Sequence, residues 1–300
     1  SSGPWGDGSR GVVMSAGGQV QVANAYGVVR TLRALGCALE VELFYAGPAE
    51  MSAEAVALLE PLGVTCLDIY HFEGVPQDVG LQGWQVKVLA VYHASFTQLL
   101  WLDADSVPAR DPSWVFASGE FTRTGSIFWQ DWSTDPHWLS AEFMHAYGLE
   151  MRVGDRELEA GQFALDKIRC WVPLNVALYL NLNFRHFYRR MYGDKDTWRL
   201  AFRLSRHPLG LAPHPADALG SLEPLEPLVA LEPLAALEPL RRLEPLDAVR
   251  PEAGSSLRGG PVRGGGGRFC GSAMLHLDED GAPAFIHRTL QTLPSSPTPG

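Results

Sequence analysis

Two aspartates, Asp103 and Asp105, close the apolar run Gln98-Leu-Leu-Trp-Leu102, with a single alanine between them. Side chains alternate along a strand, so this spacing predicts both carboxylates on one side and Ala104 on the other. Like charges that close are costly unless a cation or hydrogen bonds offset them. The natural cation is magnesium or manganese, both of which prefer oxygen ligands. An anionic diphosphate would complete the coordination shell and be neutralised as it departs. The pair therefore points to metal-assisted transfer from a nucleotide diphosphate; two turn-forming aspartates after a buried strand are the plainer reading.

Further candidates flank the pair. Ala16, Gly17 and Gly18 follow the first apolar run, and the glycines would admit close backbone approach, with a base lying there and its pyrophosphate at the aspartates. They also suit a simple strand-to-helix loop. Lys87 would place a point charge on the donor phosphates, or would be an ordinary solvated helix lysine. Trp84 would pack on the base or fill the core. Glu159 and Gln162 are one helical turn apart, or flank a loop at Gly161, and in both arrangements would meet the donor sugar. Asp194 and Asp196 bracket Lys195 ahead of a helix read from Thr197 to Leu204. Asp196 reads as its N-cap, leaving Asp194 as the sugar-side or acceptor-side carboxylate. Such a carboxylate acts as nucleophile or stabilises an oxocarbenium-like state.

The elements that must position these residues alternate. Gly11–Ser15 reads as a strand, and Val22, Ala25, Val29, Leu32 and Leu35 repeat at helical spacing until Gly36. Leu39–Tyr45 reads as a second strand, Ser52 as an N-cap, and Pro61 with Gly63 as the stop of the second helix. Val64–Tyr70 is a third strand and Trp84–Phe96 a helix leading into the strand that ends at Asp103. Gly125–Trp129 reads as another strand and Leu174–Tyr192 as a long helix opened by Pro173. Met274–Gly281 and Ala284–Arg288 form a hairpin-like end with a turn at Asp280-Gly281. Alternation of this kind predicts an α/β fold with a mostly parallel, Rossmann-like mixed sheet flanked by helices, whose ligands bind beyond the carboxyl ends of the strands.

The chain has 300 residues, is 46% hydrophobic with nine Trp and thirteen Phe, and can bury a full core. A net charge of −10 argues against nucleic-acid binding, which needs clustered Lys and Arg. Cys37, Cys66, Cys170 and Cys270 are too far apart in sequence to show a zinc or CxxC spacing. No apolar run of about eighteen residues offers a membrane anchor. Residues 1–10 read as a flexible lead and 291–300 as a loose tail. From Leu222 the composition changes to LEPLxx units, and residues 221–267 read as a disordered low-complexity insertion, because a proline every six residues blocks a regular helix.

Several segments also resemble a known family: Ser15-Ala-Gly-Gly18 with Asn24-Ala-Tyr26, Gly83-Trp-Gln-Val-Lys87, Leu102-Asp-Ala-Asp-Ser-Val-Pro108, Phe128-Trp-Gln-Asp131, Glu159-Ala-Gly-Gln162, Gly193-Asp-Lys-Asp-Thr-Trp198 and Phe285-Ile-His-Arg288. In this order they are similar to the fungal alpha-mannosyltransferases that build mannan side branches. The resemblance covers most of residues 11–220 and 268–290. It implies one GT-A domain over those residues, a GDP-mannose donor with a UDP-sugar as the alternative, a manganese ion, retention of the alpha linkage and a glycan or glycoprotein acceptor. It implies a Golgi-lumenal, type II membrane setting. It also implies that His287 completes the metal shell of Asp103 and Asp105, and Arg288 would then reach the phosphates. Two rivals stand beside it. Leu102-Asp-Ala-Asp-Ser-Val107 fits the signature of haloacid-dehalogenase-like phosphatases, but two βα units precede it where those enzymes open with it. A catalytically silent nucleotide-sugar binding module would share the fold.

Overall fold

Short apolar runs ended by glycine or by charge set the strands. The computed structural model describes residues 8–77, 80–81, 83–131, 141–150, 157–191, 193–224 and 267–288. The predicted insertion of residues 221–267, the lead and the tail lie mostly or wholly outside them. The order is β1 (Arg10–Ser15), α1 (Gly18–Ala34), β2 (Glu40–Tyr45), α2 (Ala53–Leu59), β3 (Val64–Asp68), α3 (Gly83–His93), β4 (Gln98–Leu102), β5 (Ser106–Pro108), α4 (Gly119–Thr124), β6 (Ser126–Gln130), α5 (Ala141–Ala146) and β7 (Leu158–Asp166). Then come α6 (Trp171–Leu182), α7 (Phe184–Phe187), α8 (Asp194–Leu204), β8 (Asp217–Pro224), β9 (Gly267–Leu277) and β10 (Pro283–Arg288).

One sheet has the order β3-β2-β1-β4-β7-β6. Its first four strands are parallel, and β7 runs antiparallel to both β4 and β6. Strand alternation sorts its apolar residues onto two faces. Val12, Met14, Leu100 and Leu102 join the cluster that receives Ala25, Val28, Val29 and Leu32 of α1. Val13, Leu99 and Trp101 face the opposite cluster, with Val88 and Val91 of α3, Leu174 of α6 and Trp198 of α8. Helices thus cover both faces, as parallel strands require. Aromatic rings fill the second cluster: Phe128 stacks on Phe163 at 4.8 Å, and Phe163 on Trp101 at 6.2 Å. Each fully buried side chain of this size contributes about 1.5–3 kcal/mol. A second sheet, β5-β10-β9-β8, brings the chain's last strands to the segment that follows the aspartates.

The chain divides into two compact units. One comprises residues 1–218 with 272–300 and carries all the side chains discussed below; the other is Leu219–Gly271, whose described residues are the outer ends of β8 and β9.

Some expected boundaries move. The helix expected over 174–192 is two helices, because Asn183 turns out of helical geometry (φ −100°, ψ 30°) and its side chain bonds the Tyr179 carbonyl at 2.8 Å. A side chain that bonds nearby backbone competes with the helix. The helix expected from Thr197 begins at Asp194, capped by Gly193 at φ +77°. Asp196 is therefore inside the first turn and is not the N-cap. Glu159 and Gln162 lie on β7, neither on a helix nor around a loop.

Candidate active site

The aspartates converge for a reason other than strand alternation. β4 ends at Leu102, and Asp103–Ser106 is a tight turn closed by the Ser106 N–H donating to the Asp103 carbonyl at 2.9 Å. Both expectations were half right: the residues do form a turn, and they do share one edge. The Asp103 N–H is held by the Gly161 carbonyl at 2.7 Å, and the Arg288 N–H bonds the Asp105 carbonyl at 3.0 Å. The turn is thus pinned from β7 on one side and β10 on the other.

Lys87 is not a solvated lysine. Only 5% exposed, its ammonium lies 2.9 Å from Asp103 Oδ1, 3.2 Å from Asp194 Oδ2 and 2.9 Å from the Ala160 carbonyl. It donates hydrogen bonds to Asp103 and to the Ala160 carbonyl, and Asp194 adds an ion pair. Burial disfavours its charge, but Asp103 and Asp194 outweigh that and raise its pKa. Asp103 Oδ1 also accepts the Trp101 indole N–H at 2.7 Å. Burial pushes the Asp194 carboxyl up to about 6, against the opposing pull of Lys87. Lys87 therefore links Asp103 of the acidic turn to Asp194 at the start of α8.

His287 comes to the turn on β10, opposite Ser106 in register. Its Nε2 lies 3.3 Å from Asp105 Oδ1 and its Nδ1 3.3 Å from Glu159 Oε1. Burial opposes its protonation, yet Glu159 and Asp105 together raise its pKa well above the ordinary histidine value. Gly161 makes room for it, since a Cβ there would fall 2.6 Å from the imidazole Cε1. Glu159 is buried; His287 and the Gly161 N–H, at 2.6 Å, overcome the burial penalty and lower its pKa. Gln162 is fully buried, its carbonyl taken by the Ser106 hydroxyl at 2.9 Å, so it braces the acidic turn.

Asp103, Asp105 and His287 each offer a ligand atom within 4.8 Å of the others. Two carboxylate oxygens and one imidazole nitrogen fit manganese. Glu159, His276 and His287 form a second such group. His276 was not singled out from the sequence. It is fully buried on β9 with neither ring nitrogen hydrogen-bonded among the described residues, and burial pushes its pKa down to about 4. The signal was present in Met274-Leu-His-Leu277, where strand alternation puts His276 on the face of Met274, His287's cross-strand partner. Asp131, Lys195 and Glu157 were also missed; the Lys195 ammonium lies 2.7 Å from each carboxylate.

A cavity of about 340 Å³ opens beside the turn, lined by Ser15, Ala16 and Gly17 of the β1–α1 loop, Tyr45 and Glu50 beyond β2, and Trp84, Lys87, Asp103 and Asp105. Trp84 is half-buried, with its edge toward Tyr188 at a centroid distance of 5.9 Å. Gly18 and Arg288 are not among the lining residues: Gly18 opens α1 with its N–H on the Glu50 carbonyl at 2.9 Å, and Arg288 ends β10.

A parallel-rich mixed sheet covered by helices, with an acidic turn at the carboxyl end of its central strand, is the α/β architecture expected from the sequence, and the turn lies where such sheets bind their ligands. Residues 9–150 and 140–278 match the family described as "Mannosyltransferase putative". The chain belongs to this mannosyltransferase family, which sets aside the phosphatase alternative. It is 25% identical over 244 residues to Alpha-1,2-mannosyltransferase MNN21 of Candida albicans, covering 64% of this chain and 37% of the relative. It is 30% identical over 233 residues to Alpha-1,2-mannosyltransferase MNN2 of Saccharomyces cerevisiae, covering 63% and 39%. The chain thus spans about two fifths of the length of these relatives. Among solved structures, mouse Xyloside xylosyltransferase 1 superposes with a TM-score of 0.47 at 14% identity, covering 68% of this chain and 84% of that one.

Proposed function

We propose that this chain is a metal-dependent mannosyltransferase that takes mannose from GDP-mannose and passes it, with retention, to a hydroxyl of a glycan or glycoprotein acceptor. The observation that carries this reading is the convergence of Asp103, Asp105 and His287 beside a cavity lined by the β1–α1 loop. The relatives' names suggest an alpha-1,2 linkage. A secretory-pathway setting in the Golgi lumen is part of the same proposal; no helix among the described residues is long and apolar enough to cross a membrane.

Manganese held by Asp103, Asp105 and His287 would supply neutralisation of the diphosphate leaving group. The chain's own residues prepare that site. Lys87 and the Trp101 N–H fix Asp103, the Ser106–Gln162 contact holds the turn, and Glu159 faces the outer nitrogen of His287, as carboxylates beside metal-binding histidines do. Asp194, tied to Asp103 through Lys87, is the carboxylate proposed to stabilise positive charge on the sugar. Glu159 and Gln162, buried beneath the turn, support this geometry. Donor binding by Lys87 would follow from its grip on Asp103.

The test is release or transfer of radiolabelled mannose from GDP-mannose with manganese, with and without acceptor. Turnover that survives exhaustive chelation would overturn the metal assignment. Donor binding without turnover would leave a nucleotide-sugar binding module.

A further inference from the structure

The cavity reaches from the acidic turn after β4 to the loop after β2. In the sheet these strands lie on either side of β1, two strand spacings or about 10 Å apart. That suits a nucleoside diphosphate with its phosphates at Asp103 and Asp105 and its base at the β2 end. Tyr45 and Glu50 line that far end.

Glu50 is held in place there. Its N–H donates to the Gly47 carbonyl at 3.1 Å, and its carbonyl accepts from Gly18 at 2.9 Å. Gly47 is fixed in turn by its N–H to Asp68 Oδ1 at 3.1 Å. The carboxylate rests on Gly17, where a Cβ would fall 2.2 Å from Oε2. Oε2 accepts the Ala46 N–H at 3.0 Å, and among the described residues no lysine or arginine pairs with the carboxylate.

An ionised carboxylate only accepts hydrogen bonds. Guanine presents two adjacent donors, the ring N1–H and the 2-amino group. Uracil presents one donor between two carbonyl oxygens, and adenine and cytosine each set an amino donor beside a ring acceptor. A fixed carboxylate at the base end therefore rewards guanine and meets an acceptor on every other base, and a site that leaves such groups unpaired rejects the wrong ligand strongly. We propose that Glu50 is the specificity-determining residue that selects guanine in the donor nucleotide; this rests on the donor-site reading above.

The test compares binding of GDP, IDP and UDP with manganese by calorimetry, IDP differing from GDP only in lacking the 2-amino group. GDP is expected to bind the parent roughly 10- to 100-fold more tightly than IDP, the value of a hydrogen bond to a charged group. Glu50→Gln, which exchanges one acceptor for a donor, should bring the ratio near one. Gly17→Ala should do the same by displacing the carboxylate. Equal binding of all three nucleotides by the parent, or a ratio that survives in both variants, would overturn the Glu50 assignment and leave the donor site standing. Binding of none of them by the folded parent would overturn both. The parent series decides the matter even where a variant fails to fold.

Discussion

Asp105 is the most direct probe of the site at the scale of single residues. Its side chain is part-exposed and its ion-pair contact is His287, so Asp105→Asn should keep the fold and remove one charge from the proposed metal shell. Metal-derived charge stabilisation is worth several kcal/mol, so turnover should drop by about 100-fold or more, while the melting transition stays within about a degree. Lys87 answers differently. Removing it leaves Asp103 and Asp194 without their shared cation, so Lys87→Ala should cost about 3–5 kcal/mol of stability, read from urea denaturation. Asp194 makes the pH dependence. Its folded pKa, raised by burial to about 6, lies above the unfolded value near 3.9, so stability falls as pH rises between them. The stability of Asp194→Asn relative to the parent should therefore rise between pH 4 and pH 7.5, with transfer lost. An equal gain at both pH values would show that the carboxyl is not the group responsible.

Among the elements, β7 does most to assemble the site, because it lies next to β4 and carries Glu159, Gly161 and Gln162 in consecutive contact with the acidic turn and β10. Its glycine is the place to test this. Gly161→Ala puts a methyl 2.6 Å from His287 and 3.0 Å from Glu159 Oε1, so the imidazole must move. Manganese affinity, measured by electron paramagnetic resonance, is expected to weaken about 10- to 100-fold, the effect usual for disturbing a ligand's support. Far-UV circular dichroism should not change. Unaltered affinity would mean that His287 is not held in its binding position by β7.

At the scale of the whole molecule, the second sheet carries β10 to the aspartates from a point almost two hundred residues later in the chain. Between its strands β8 and β9 stand the proline-punctuated LEPL repeats. The repeats contribute none of the site residues named above. Replacing residues 225–266 with a short Gly/Ser linker should leave both β8 and β9 whole, and the melting temperature and turnover should be retained. Loss of the cooperative transition would show that the repeats support the fold.

The sequence by itself determined the βα alternation, the apolar strand ending in Asp103 and Asp105, the glycine loop after β1 and the late Phe285-Ile-His-Arg288 strand, because periodicity and turn chemistry are local. Spacing foresaw that the two carboxylates would share an edge, although a turn and not a strand brings them there. What local pattern could not fix was pairing across the sheet. Lys87 turns inward because α3 packs where Asp103 and Asp194 can neutralise it, and a charge in that position has no distinguishing periodicity. His276 and Glu50 gain meaning only from the register of β9 on β10 and the seat that Gly17 provides. Hydrogen-bond register and close approach between distant segments are decided by tertiary packing, so only the folded chain shows which buried groups share a charge and which side chains face the cavity.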